Sequence, residues 1–254
     1  MSPRQPDKVL ITADRLTPAD NEQRPMAPLT VEIKAGTTTC FIGPDGSGKT
    51  RYLRALAGID PAAGTLEIFQ QTVAQLNENE WSAMRPQIGF AGAYTPLISF
   101  YNAWLNITLP AQYHQPANDH LIESKAHNLL DELEVKVDLG LLPAYLSRSQ
   151  RQKLVLIRTL MLDPLVLFLD EPFKPFDPLD EENLAVFFNK LRKEKNLALV
   201  MATHNLPYAI ENADCIFYVD ADHLHRFSSG KELTDSPLAD VQQFIHSHYK
   251  WATP

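Results

Sequence analysis

The sequence predicts an α/β fold in which a mostly parallel sheet is flanked by helices. Two wholly apolar runs, LVLFL at residues 165–169 and LALVMA at residues 197–202, have the length and composition of strands buried on both faces. Stretches of helical periodicity precede, separate and follow such runs, the alternation that builds parallel sheets. A third apolar run, residues 39–42, passes through a glycine-rich loop straight into a helical stretch.

Taken in order, residues 9–12 form a first strand, and residues 17–28, with Pro18, Pro25 and Pro28, a polar loop. Residues 29–33 alternate as a second strand, after which Ala35 and Gly36 turn the chain. Residues 51–57 carry Leu53 and Leu56 at helical spacing and close at Gly58. A mostly helical stretch runs from 101 to 146, with an amphipathic helix at 124–133 and interruptions at Pro110, Pro116 and Pro143. Residues 150–162 and 180–193 read as further helices. In the last stretch, 234–254, Phe244, Ile245, Tyr249 and Trp251 suit a terminal helix packing on its own domain, with a partner-docking tail as the alternative.

The 254 residues are enough for one large core or a domain with a subdomain. Lysine and arginine number 23 against 31 acids, a formal net charge of −8, which repels phosphate backbones and disfavours nucleic acid as a partner. Cys40 and Cys215 sit in apolar runs without CxxC spacing, as buried thiols of a reducing compartment do. No apolar signal core opens the sequence and no run approaches the about 18 apolar residues of a membrane span, so a membrane role is expected to come through a partner.

Residues 43–50 read GPDGSGKT: Gly43, Pro44, Asp45, Gly46, Ser47, Gly48, Lys49 and Thr50, with Arg51 following. Glycines at this spacing let backbone N–H groups converge on an anion, and the helix N-terminus beyond adds its partial positive charge. Lys49 is expected to reach the β and γ phosphates of ATP, and Thr50 to ligate Mg²⁺. Asp170 and Glu171 end a buried strand at the edge where open α/β sheets bind ligands. The first acid is expected to organise Mg²⁺, the second to polarise a water for attack on the γ-phosphate. His204, after the run LALVMAT, projects at the same edge.

With these residues in place the chain resembles the ATP-binding cassette family along nearly its whole length. The segment at 146–164, LSRSQRQKLVLIRTLMLDP, is similar to the family's signature helix, with Ser147, Arg148, Ser149 and Gln150 in the LSGGQ positions. Walker B at 165–171, a D-loop ending at Asp177 in DEPFKPFDP, and a switch histidine at His204 follow in order. The resemblance implies a P-loop nucleotide-binding core at 1–93 and 163–254, an N-terminal antiparallel β portion, and a helical subdomain inserted at 94–162. It also implies a head-to-tail dimer, with Glu171 as general base, His204 contacting the γ-phosphate, and the signature serving the opposite site.

Three positions depart from the family pattern. Ala93 falls where the family carries the glutamine of its Q-loop, and Gln87 is too early to replace it. Arg148 and Ser149 stand for two glycines that allow close backbone approach to the partner's nucleotide. No aromatic precedes Phe41 to stack adenine, and Pro18 lies near the expected place.

A degenerate signature impairs the partner's site, so a heterodimer with a second cassette ATPase is favoured over a homodimer. The expected function is the ATPase subunit of a membrane transporter, on the cytoplasmic face of the inner membrane through an integral membrane subunit. DEPFKPFDP and PLADVQQFIH are similar to ATPases of Mla-type phospholipid transport, which adds lipid as one candidate cargo beside drugs, metals and peptides, all of them left open. A binding-only regulatory subunit and a soluble, non-transport cassette ATPase are the alternatives.

Overall fold

The computed structural model describes residues 8–19, 26–92, 95–114, 118–220 and 223–249. Ala93 and Trp251 fall outside them. The N-terminal half holds β1 (Val9–Pro18), β2 (Leu29–Lys34), β3 (Thr38–Ile42), α1 (Lys49–Leu56), β4 (Ala62–Ile68), β5 (Gln71–Thr72), α2 (Glu78–Met84) and β6 (Ile88–Ala91). Three helices follow: α3 (Ala103–His114), α4 (Asp119–Glu132) and α5 (Arg148–Leu160). The chain then alternates β7 (Val166–Asp170), α6 (Pro178–Lys195), β8 (Ala198–Ala202), α7 (Leu206–Asn212) and β9 (Cys215–Asp220). It closes with β10 (His223–Phe227), α8 (Gly230–Thr234) and α9 (Ala239–Tyr249).

The strands form two sheets. A six-stranded sheet has the order β10-β9-β3-β8-β7-β6, parallel except for β10 against β9. A four-stranded antiparallel sheet has the order β2-β1-β4-β5. Successive side chains on a strand point to opposite faces, and the central strands use this to feed two cores. Phe41, Phe168, Val200 and Phe217 join α1 and the antiparallel sheet on one face. Their neighbours Cys40, Ile42, Leu167, Leu169, Met201 and Tyr218 face α5, α6, α7 and α9 on the other. Burial on both faces is why these runs are continuously apolar.

The helices α3, α4 and α5 lie in the crossover between the adjacent parallel strands β6 and β7. Ile107, Ala126, Leu129 and Leu154 on them belong to the same apolar cluster that covers the sheet. Helix α3 runs through Pro110 where the sequence predicted an interruption. Proline lacks only its own N–H, so the Asn106 carbonyl alone loses its helical donor there. The Asn106 side chain, 1% exposed, binds the preceding turn instead, accepting from the Ile98 N–H and donating to the carbonyls of Ile98, Tyr101 and Asn102.

β1 also exceeds expectation, continuing through Thr17 and Pro18, which the sequence had placed in a loop. Register shifts near Ala13–Leu16 and Arg15 at φ 49 mark bulges that carry the strand past its polar residues. The C-terminal helix packs on its own domain, with Val241, Phe244 and Ile245 buried and the Phe244 ring 5.4 Å from Tyr218. Cys40 is buried and Cys215 half-buried, both free thiols.

Candidate active site

Register brings the site together. Cα pairing sets Phe41 beside Ala202 and Ala202 beside Asp170, so β3, β8 and β7 end at one level. The backbone N–H groups of Glu171 and Thr203 extend that alignment, donating to Ala202 and Phe41 carbonyls at 2.8 and 3.0 Å. Gly43, Glu171 and His204 therefore leave the sheet at one edge, where Glu171 and His204 line an open cleft of about 840 Å³.

The loop after β3 is shaped by backbone that only glycine tolerates. Gly43 has φ 140, and a Cβ there would drive into the Val219 carbonyl. Gly48 caps α1 at φ 100. Lys49, 6% exposed, curls back to donate to the Gly43 and Pro44 carbonyls at 2.9 and 2.7 Å. Desolvation lowers its pKa from the ordinary lysine value, opposed by Glu171 and Asp45. Ser47 Oγ is buried without a hydrogen-bond partner among the described residues, inside a loop whose amides suit an anion. Asp45, Gly46, Gly48, Lys49, Thr50 and Arg51 line the cleft, while Gly43, Pro44 and Ser47 do not.

Thr50 Oγ1 donates to Asp170 Oδ1 at 2.8 Å, joining the first turn of α1 to the end of β7. This pair of hard oxygen donors suits Mg²⁺, which keeps its other positions for phosphate and water. Burial raises the Asp170 pKa, with Glu171 adding to the rise and the Thr50 hydrogen bond opposing it. Asp170 is backed by Gly92, where a Cβ would come 2.7 Å from the Asp170 Cβ.

Glu171 adopts φ 51 and turns its carboxylate across to His204. Its Oε1 lies 3.0 Å from His204 Nε2, and its Oε2 accepts the His204 backbone N–H at 3.3 Å. His204 Nε2 also lies 2.8 Å from Asp45 Oδ1. An acid, an imidazole and the phosphate loop are thereby connected, the geometry of a site that can steer a water and take its proton. Lys174, which the sequence had not singled out, lines the same cleft three residues past Glu171. Its N–H closes a turn on the Glu171 carbonyl at 3.2 Å.

The outer end of the cleft is formed by Pro18, Ala19, Arg54, Asp60 and Pro61, and no aromatic side chain lines it among the described residues. Arg51 Nη2 pins this rim by donating to the Ala19 carbonyl at 2.9 Å. Arg54 grips Asp60 through two bonds of 2.6 and 2.7 Å.

Other expected site residues lie outside the cleft lining. Ser147 caps α5, accepting the Gln150 N–H at 3.1 Å and touching Ser149 Oγ at 3.0 Å, while the Gln150 side chain accepts the Ser147 N–H at 2.8 Å. Arg148 is exposed at that helix end. Asp177 caps α6, accepting the Asp180 N–H at 2.9 Å. Gln87 sits in the turn before β6, and its carbonyl accepts the Leu165 N–H at 2.8 Å. From α5, Arg158 donates to the carbonyls of Thr95 at 2.7 Å and Pro96 at 3.0 Å, tying the loop after β6 to that helix.

A glycine loop between a central strand and a helix, with a carboxylate at the end of a buried strand two places along the same sheet, defines a P-loop nucleotide-binding protein. The family model described as ABC transporter matches residues 26–174, more than half of the chain, and the chain belongs to that family. The sulfate/thiosulfate import ATP-binding protein CysA of Vibrio vulnificus is 30% identical over 224 residues, covering 86% of this chain and 64% of that protein. Its counterpart in Mycolicibacterium paratuberculosis is also 30% identical, covering 84% of this chain and 58% of the relative. The chain thus spans about three-fifths of the length of these curated relatives.

Solved structures share the fold. A dimeric ATP-binding cassette in a post-hydrolysis state bound to ADP and Pi superposes with a TM-score of 0.79 at 22% identity, covering 86% of this chain and 98% of that one. The cbiO1 structure of Clostridium perfringens, part of the ABC transporter complex cbiONQ, gives 0.75 at 18% identity and covers 95% of each chain.

Proposed function

We propose that the chain is the ATP-hydrolysing subunit of a membrane transporter. The observation that carries this reading is the convergence of Lys49, Thr50, Asp170, Glu171 and His204 on one cleft at the ends of β3, β7 and β8. Lys49 and the loop amides hold the phosphates, releasing the Gly43 and Pro44 carbonyls in exchange. Thr50 and Asp170 would hold Mg²⁺, which would supply positive charge to offset that of the phosphate oxygens. Glu171 accepts a proton from water as its oxygen attacks the γ-phosphorus in line and the bond to the ADP oxygen breaks. His204, fixed by Glu171, orients the water and the terminal phosphate. The helices between β6 and β7, within 94–162, serve as the helical subdomain of this machine.

Among the described residues no helix is long and apolar enough to cross a membrane. Phe100 and Tyr145, 72% and 74% exposed, and Leu141 and Leu142 offer that subunit an apolar contact. The start of α3 is pinned to this region, with Ala103 and Trp104 N–H groups donating to Leu141 and Leu139 carbonyls at 2.8 and 3.0 Å. Exposed Arg148, at the head of α5, supports pairing with a second cassette whose signature keeps its glycines. The relatives' names concern sulfate and thiosulfate import, whereas the lipid expectation rested on DEPFKPFDP and PLADVQQFIH. The tail of that second segment is spent on packing α9 against the chain's own core.

The test is ATP turnover by the native membrane complex carrying the unaltered chain or Lys49→Ala. Turnover that depends on Lys49 supports the reading. Equal turnover by both assigns hydrolysis elsewhere and leaves this chain a binding-only role. Purification of the chain alone as a briskly hydrolysing homodimer would defeat the heterodimer.

A further inference from the structure

Asp45 is the only acid in the phosphate loop GPDGSGKT. A carboxylate has no donor to offer a phosphate and repels it, so its place in an anion cradle calls for a reason. The structure shows what Asp45 does there: its Oδ1 lies 2.8 Å from His204 Nε2, on the side chain that Glu171 Oε1 reaches at 3.0 Å. Two carboxylates share one imidazole nitrogen, which has at most one hydrogen to give. The His204 ring first, then Lys174, hold the Asp45 carboxyl below the usual carboxylate range against desolvation, with Lys49 adding less. Asp45 is therefore an anion at neutral pH, held first by the same His204 that the hydrolytic reading assigns to phosphate.

We propose that Asp45 is a specificity-determining residue that competes with the terminal phosphate for His204 and so lowers the preference of the site for a nucleoside triphosphate over a diphosphate. The inference rests on the nucleotide-binding reading given above. A triphosphate adds one phosphoryl group and one negative charge to the cleft, and both fall beside His204, which Asp45 already engages. A diphosphate lacks that group and meets less of the competition. The side chain is 90% exposed, so solvent and salt screen the repulsion and limit the effect to about fivefold in the affinity ratio.

The experiment is titration calorimetry on the full chain with Mg²⁺ and either ADP or a non-hydrolysable ATP analogue, for the unaltered protein, Asp45→Asn and Asp45→Ser. Asparagine keeps the size of the side chain, serine supplies a second neutral replacement, and thermal melts confirm folding. The expected result is a ratio of analogue to ADP affinity about fivefold higher in both variants, with ADP affinity nearly constant. An unchanged ratio, a ratio shifted toward ADP, or loss of both ligands in the folded variants overturns the proposal. If the unaltered chain binds neither nucleotide, the nucleotide reading fails and the proposal falls with it, a result distinct from an unchanged ratio.

Discussion

The Glu171 carboxylate holds His204 at two points, the ring Nε2 at 3.0 Å and the backbone N–H at 3.3 Å. One side chain thus carries the base and fixes the group beside it. In Glu171→Gln the amide oxygen can still accept the backbone N–H but cannot take a proton from water. ATP hydrolysis by the native complex is expected to fall about a hundredfold or more, with nucleotide affinity retained. Single-turnover assays beside equilibrium binding separate the two, and a parallel loss of both would count against the assignment.

Gly92 and Asp170 touch so closely that the first methyl group is too much. An alanine Cβ at position 92 would stand 2.7 Å from the Asp170 Cβ and 3.1 Å from its carbonyl oxygen. Gly92→Ala is expected to cost about 1–3 kcal/mol of stability in chemical denaturation. Displacing Asp170 also separates it from Thr50, so the Mg²⁺ dependence of nucleotide binding should weaken. A variant as stable as the parent would show that β6 and β7 can part without penalty.

The Arg54–Asp60 pair sets a pH dependence. Hydrogen bonds from Arg54, chiefly, and then its charge hold the Asp60 carboxyl below its ordinary value, against partial desolvation. The folded pKa is depressed, so this stabilisation is present above the unfolded carboxylate value of about 3.9 and is lost as pH falls through the folded value. The two side chains are 25% and 38% exposed, so solvent screening limits the contribution to about 0.5–1 kcal/mol. Asp60→Asn should be less stable than the parent by that amount at pH 7, with the gap closing below about pH 4. A gap independent of pH would assign the loss to something other than the ion pair.

At the outer end of the cleft Pro18, Ala19 and Pro61 offer edges and aliphatic rings rather than an aromatic face. Without a stacking platform, base identity contributes little to affinity. GTP is expected to displace a fluorescent ATP analogue with a Kd within about fivefold of that of ATP. A preference for ATP beyond tenfold would require base-specific hydrogen bonds at this rim.

The chemistry-bearing residues were legible because their spacing is local. Gly43 to Thr50 must make a loop between strand and helix, and an acidic pair ending an apolar run must emerge at a sheet edge. The contacts among them were not legible, because Asp45 meets His204 only when β8 lies beside β3, and strand order is a property of the whole chain. Lys174 was missed for the same reason. The length of β1 was hidden by bulges, which let polar residues sit in a ladder and erase the alternation that marks a strand. Pro110 was read as a break because one missing donor looks decisive in sequence, whereas the buried face of α3 at Ala103, Ile107 and Ala111 outweighs it.

Arg158 gives the molecule a mechanical connection. Its guanidinium is largely desolvated, which lowers its pKa, and grips the carbonyls of Thr95 and Pro96, so the segment after β6 and helix α5 are geared to one another. At a rise of 1.5 Å per residue, the first turn of α5 at Ser147 lies about 16 Å along the axis from Arg158. A push on residues 95–96 is therefore delivered, through a rigid rod, to the far end of the helix where Ser147 and Arg148 stand.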